Sequence, residues 1–240
     1  SGGINGRGYA KFGGQNGVND LEHTAFVMGY WLGGSSPSDY GGMSTTFVRD
    51  GMIKVGFTIY IVCKHDVINT TGGPDYLFNV KGNGLCNLAS GTNQFYIRVN
   101  QSDQHITCNL LDPNCGITGT ELNSGESFGT GHHVIQVELV NGTNNSKLFI
   151  DNVLKDSTTV GPTSVVHMGS TIAGISRMAL GGALNSPGPP GTNDLSAYAF
   201  KGRIYETIIF EHNQNNPLHA NQKEHIRQYF NWKYGLNLPA

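Results

Sequence analysis

The chain has 240 residues, 34 of them glycine, with only 13% charged residues and a formal net charge of −2. This balance excludes the broad basic field of a nucleic-acid binder and the cationic face of a membrane-surface protein. No apolar run reaches about 18 residues, so no helical membrane span is encoded.

In chain order, residues 1–8 read as a flexible lead-in, either a cloning remnant or the cut edge of a longer polypeptide. Residues 1–240 read as one domain. Strand signals appear at Tyr9–Phe12 and Thr24–Trp31, followed by a Gly/Ser loop over residues 33–39. Val55–Cys63 is apolar on both parities, as expected of a central strand covered on both faces. Tyr76–Val80, Gln94–Val99, His105–Leu110 and Val134–Val140 follow, divided by Gly/Asn-rich turns. Lys147–Leu154 carries Asp151-Asn152 as a tight turn. After Ile175–Leu180 comes a Pro/Gly loop over residues 181–194, which cannot join a ladder and belongs on the surface.

Phe200–Phe210 is the last strand. The helix after it is expected to be capped by Asn216, with Pro217 in its first turn and Gly235 at its end. Its packing face is predicted at Ile226, Tyr229, Phe230 and Lys233, with Lys223, Glu224 and Arg227 facing water. Roughly a dozen strands and one terminal helix predict an all-β, two-sheet antiparallel sandwich of jelly-roll type.

Four cysteines, Cys63, Cys86, Cys108 and Cys115, show no metal-binding spacing. Free thiols are the simplest reading, with a Cys108–Cys115 loop disulfide as the alternative. Cys63 is expected to be a buried small hydrophobe.

The stretch Gly202-Arg-Ile-Tyr-Glu206-Thr-Ile-Ile-Phe210, followed by Tyr229-Phe-Asn-Trp232-Lys-Tyr-Gly235-Leu236, resembles the C-terminal signature of laminin-G-like jelly rolls in the concanavalin A-like lectin/glucanase superfamily, in its bacterial and phage form. Tyr9-Ala-Lys-Phe12 is similar to the opening strand, with Gly13 where an aspartate usually stands. Gly131-His-His-Val-Ile-Gln-Val137 with Lys147-Leu-Phe-Ile-Asp-Asn-Val-Leu154 is similar to an internal hairpin. The resemblance spans nearly the whole chain and implies the fold. It leaves function open among lectins, enzymes, adhesins and spacers.

The glucanase branch places its acids in a Glu-x-Asp-x-x-Glu strand, where period-2 alternation puts the carboxylates on one face. No Glu-x-Asp occurs here. Glu206 shares a parity with Ile204, Ile208 and Phe210, so its carboxylate is buried if that face points inward; because a glutamate recurs in this motif, the resemblance implies a structural hydrogen-bonding role rather than catalysis. Adjacent His132 and His133 must point to opposite faces, which excludes joint chelation. Trp232 is expected to serve the fold.

Glycan recognition needs aromatics to stack on sugar faces beside Asx and glycine groups. Tyr30, Trp31, Tyr40, Asn193, Asp194 and Tyr198 are the candidates. Oxygen-ligand loops at Asn16, Asn19 and Asp20 are the candidate calcium site, as relatives in this superfamily would imply.

The expected function is a non-catalytic recognition or attachment module for a glycan or cell-surface receptor. Its expected setting is extracellular or on a virus or phage particle, beside other virion or surface-protein subunits. No nucleic acid and no membrane insertion are expected. The alternatives are a structural capsid-decoration or fibre domain, and a glycoside-cleaving enzyme.

Overall fold

A computed structural model describes residues 10–12, 26–32, 56–66, 74–82, 94–100, 102–110, 120–139, 146–158, 174–182, 200–212 and 218–240. The alternating and β-branched segments of these residues form twelve strands in two antiparallel sheets of six. In chain order the strands are β1 (Ala10–Phe12), β2 (Phe26–Leu32), β3 (Gly56–His65), β4 (Asp75–Gly82), β5 (Gln94–Val99) and β6 (His105–Leu110). They continue with β7 (Thr120–Ser127), β8 (His132–Leu139), β9 (Ser146–Ile150), β10 (Val153–Thr158), β11 (Gly174–Leu180) and β12 (Gly202–His212). The first sheet runs β1-β12-β3-β8-β9-β10 and the second β2-β11-β4-β5-β6-β7. The predicted all-β sandwich is therefore the observed one.

Between the sheets lies the main core. Ile59, Ile61, Cys63, Ile135, Val137 and Leu148 meet Leu77, Phe95, Ile97, Ile106, Cys108 and Leu122 there. As expected, Cys63 is a buried free thiol; Cys108 is also buried and free, and Cys115 lies outside the described residues. Asp156 closes the seam between β10 and β7 by accepting from the Asn123 N–H at 2.8 Å. An ion pair between Lys155 and Glu126 supports the same seam.

β3 is buried on both faces, as its sequence predicted. Tyr60 and Val62 point away from the main core into a second cluster with Val134, Phe230, Tyr234 and Leu238. That cluster is closed by α1 (Ala220–Tyr234). The helix starts later than the sequence suggested: His219, not Asn216, is the N-cap residue. Gln222 satisfies the His219 N–H through its carboxamide oxygen at 2.9 Å. Gly235 ends the helix as predicted, at φ 68° and ψ 36°, and its N–H donates to the Asn231 carbonyl.

Two side-chain expectations on α1 are overturned. Lys223 does not face water; its ammonium lies 2.5 Å from the nearly fully buried Glu138 on β8. Trp232 does not pack into the fold and is 73% exposed. A third correction concerns β12. Its pairing with β3 shifts between Ile204 and Glu206, so Tyr205 is an inserted bulge residue. Ile204 therefore faces the main core, whereas Tyr205, Ile208 and Phe210 belong to the helix-covered cluster. Glu206 shares a face with Ile208 but not with Ile204.

Candidate functional site

On β4 to β7 the positions that alternate with the core residues carry a different chemistry. Registered across the strands, Tyr76, Arg98, Thr107 and Asn123 form one row, and Asn79, Tyr96, Asn109 and Glu121 the next. All eight side chains can hydrogen-bond, and none is aliphatic. A bulge at Leu77 allows this: Leu77 and Phe78 both enter the core while Tyr76 remains on the opposite face.

Arg98 is the centre of these rows. Its Nε donates to Thr107 Oγ1 at 3.2 Å and its Nη1 to Tyr76 Oη at 3.4 Å. Nη2 donates to Glu121 Oε1 at 3.3 Å, and Tyr96 Oη donates to the same oxygen at 3.0 Å. The guanidinium carbon sits 4.4 Å from the Tyr96 ring centroid, a cation–π placement. Tyr76 and Tyr96 are buried, whereas the side chains of Arg98 and Glu121 remain 22% and 38% exposed. The result is a cation fixed from below on a phenolic floor with one side open to solvent.

The electrostatics follow from that geometry. Burial opposes the Arg98 charge, but the neighbouring Tyr96, Tyr76 and Glu121 hold its guanidinium above the usual range. Burial pushes the Tyr96 phenol up, aided by its hydrogen bond to Glu121. Both therefore keep their donor protons throughout the neutral range. A planar guanidinium held in one orientation suits a carboxylate, which it can meet with paired N–H groups.

Two other groups of titratable side chains are occupied structurally. Glu206 accepts from Tyr229 Oη at 2.9 Å, Lys233 Nζ at 3.0 Å and Tyr234 Oη at 3.0 Å. This is the structural role the sequence suggested, although the carboxylate clamps α1 rather than entering the main core. Glu138 holds Lys223 and accepts from Gln136 at 2.6 Å. The two glutamates pair with Val62 and Thr58 of the intervening β3. Four residues along the strand and two strand spacings across place their backbones roughly 16 Å apart. Each carboxylate is engaged by its own lysine of α1, Glu138 by Lys223 and Glu206 by Lys233.

His65 Nε2 lies 2.8 Å from Asp75 Oδ2, joining β3 of one sheet to β4 of the other. His133 faces the core side against Phe128, with Nδ1 2.7 Å from Asp151 Oδ2, while His132 is exposed beside Tyr205. The two adjacent histidines thus take opposite faces, as expected.

These phenols also give the protein an alkaline limit. Burial, followed by the hydrogen bond to Glu206, pushes Tyr234 up to about 12, and burial also raises Tyr60. In the unfolded chain tyrosine ionises near pH ~10. The folded state therefore holds more protons above that pH, and its stability falls as pH rises towards 12. Thermal unfolding followed by circular dichroism should show a lower midpoint at pH 11.5 than at pH 9. Tyr234→Phe should shrink that difference; an equal drop in both proteins would remove Tyr234 as a cause.

The site predicted from sequence differs from this one. Tyr30 is registered with Ser176 and Trp31 with Ile175 on edge strand β2, three strands from Arg98 in the sheet order. Tyr40, Asn193, Asp194, Tyr198 and the calcium candidates Asn16, Asn19 and Asp20 lie outside the described residues. Among the described residues, no cluster of three or more His, Cys, Asp or Glu side chains could hold a metal ion. Sequence reasoning missed Arg98, Tyr76, Tyr96 and Glu121, although Gln94-Phe-Tyr-Ile-Arg-Val99 displays the signal: Tyr and Arg on one parity, Phe, Ile and Val on the other.

No protein-family model and no curated protein matches the sequence. Solved structures do match in fold. One is the Ruminococcus gnavus IT-sialidase CBM40 bound to α2,3 sialyllactose, at 18% identity and TM-score 0.54, covering 83% of this chain and 91% of that one. A second structure of that module, at 16% identity and TM-score 0.52, covers 73% and 84%. The leech intramolecular trans-sialidase, at 18% identity and TM-score 0.50, covers 74% of this chain but only 23% of its own. The chain therefore shares the jelly-roll sandwich fold of these structures.

Proposed function

We propose that the chain is a non-catalytic glycan-recognition module of the concanavalin A-like, laminin-G-like kind, and that its ligand is a glycan ending in an acidic sugar. The observation that carries this reading is Arg98, locked by Thr107, Tyr76 and Glu121 above Tyr96 with its remaining side open. A guanidinium already held in place loses little conformational freedom on meeting a ligand carboxylate. Asn123 at the end of the Arg98 row, and Asn109 and Glu121 in the next row, are the proposed partners for sugar hydroxyls.

The fold likeness to a module bound to sialyllactose supports the ligand class, because the sialic acid of that glycan bears a carboxylate. The proposed setting is extracellular or on the surface of a virus or phage particle, where the module would attach its parent assembly to a glycan-coated cell.

Calorimetric titration with 3′-sialyllactose and with lactose tests the reading. The acidic glycan should bind and lactose should bind at least tenfold more weakly. Arg98→Ala should weaken 3′-sialyllactose by tenfold or more, about 1.4 kcal/mol, with Arg98→Lys in between. Equal affinity for the two glycans, or an Arg98→Ala protein that binds like the wild type, overturns the proposal.

A further inference from the structure

The other sheet carries a feature that glycan recognition at Arg98 does not use. Lys11 of β1 is registered with Arg203 of β12, Arg203 with Lys64 of β3, and Lys64 with His132 of β8. These four strands are consecutive neighbours in the first sheet. Cys63 and Ile204, the residues adjacent to Lys64 and Arg203, face the main core, so Lys64 and Arg203 occupy the outer face. His132 is exposed, and the side chain of Arg203 is 26% exposed.

The row thus places a basic residue at each of four adjacent strand positions, spanning roughly 14 Å at the ~4.8 Å strand spacing. Like charges directly opposite each other on neighbouring strands destabilise a sheet. This arrangement is placed in a chain whose overall charge is negative. The proximity of the charges is felt within the row: burial, then the charges of Lys64 and Arg203, lower the His132 pKa.

Partial compensation comes from Asp66, which accepts from Arg203 Nε at 3.1 Å. His132 Nε2 also lies 3.1 Å from Tyr205 Oη, the bulge residue of β12, which sets a phenol beside the row. Lys201, the nearby cation of the turn before β12, is directed to Asp75 instead.

We infer that the Lys11–Arg203–Lys64–His132 row is a second binding site, which takes an extended acidic glycan carrying sulfate or uronate groups. A linear polyanion lying across the strands would meet the cations of Arg203 and Lys64, with Lys11 in register on one side and the His132 imidazole on the other, and would relieve the repulsion between the cations. A nucleic-acid backbone carries the same sign of charge, and competition by an oligonucleotide separates the two occupants. The site lies on the opposite sheet from Arg98 and does not depend on the reading given for it.

The test is binding of a heparin octasaccharide by fluorescence anisotropy across a salt series. Wild type should bind at low salt, with affinity falling as salt rises. Lys64→Gln and Lys11→Gln should each lower the slope of log affinity against log salt by about one, with the far-ultraviolet spectrum and melting point maintained. As a check that needs no variant, excess neutral dextran should leave wild-type binding intact. A wild type that does not bind heparin, or variants with an unchanged slope, would overturn the inference. So would displacement by a thymidine oligonucleotide at equal charge concentration, which would show a site indifferent to sugar.

Discussion

Gly202→Ala is expected to destabilise the protein by about 3 kcal/mol or more, the cost of forcing added volume into a packed core. A Cβ at this position would run into the backbone carbonyl oxygen of Lys64 and would meet Phe200 ring carbons at 2.6 and 2.7 Å. Neither neighbour can yield cheaply. Lys64 lies in β3, paired on one side with β12 and on the other with β8. Phe200 is fully buried and stacks on the His65 ring at 5.4 Å. The Asp66 N–H donates to the Lys201 carbonyl at 3.0 Å, which pins the chain immediately before the glycine. Equilibrium denaturation in urea should therefore show a clearly lower midpoint for Gly202→Ala. A midpoint equal to wild type would mean that β12 enters the sheet less tightly than described.

Glu206→Ala is the second large effect, at about 3 kcal/mol, because it leaves a cation and two phenols without their shared acceptor. Tyr229, Lys233 and Tyr234 all come from α1, so the loss should fall on the attachment of the helix. The apolar cluster of Tyr60, Val62, Phe230 and Leu238 remains, so the helix should loosen rather than vanish. Hydrogen exchange should accelerate across Ala220–Tyr234 more than in β5 and β6, which lie in the other sheet. Glu206→Gln, which keeps one acceptor oxygen, should lose less. Uniform acceleration across both sheets would contradict a local clamp.

These two residues show where the sequence was informative. Gly202 and Glu206 sit in the stretch whose resemblance implied the fold, and the structural role expected for Glu206 is the one found. Its surroundings were not readable, because the inserted Tyr205 reverses the parity on which the inward assignment rested. A bulge leaves no mark in hydrophobic alternation unless the partner strand is known. Similarly, β7 leaves no strand signal in the sequence, because Thr120-Glu-Leu-Asn-Ser-Gly-Glu-Ser127 offers Leu122 as its one large apolar residue.

The helix boundary moved for a related reason. Asn216 and Pro217 carry strong local starting signals, yet the helix begins at Ala220, with Gln222 supplying the partner for the His219 N–H. Helical spacing alone places Lys223 on the water-facing side. Only the packing of α1 onto β8 reveals the buried Glu138 that captures it.

The candidate site was illegible for a topological reason. Tyr76, Arg98, Thr107 and Glu121 lie on four different strands, and each is unremarkable in its own segment. Their convergence is a product of register, which one-dimensional patterning does not contain. The sequence instead favoured aromatics in glycine-rich loops, since that pattern is visible locally. The basic row Lys11–Arg203–Lys64–His132 is a cross-strand object of the same type.

The most direct test of the central claim, that Arg98 and its neighbours form a glycan-binding surface, is a titration of isotope-labelled protein with 3′-sialyllactose followed by nuclear magnetic resonance. Saturable shifts are expected on Tyr76, Tyr96, Arg98, Asn109, Glu121 and Asn123, including the Arg98 Nε–H signal. Saturable shifts confined to other parts of the chain, with Arg98 unmoved, would contradict it.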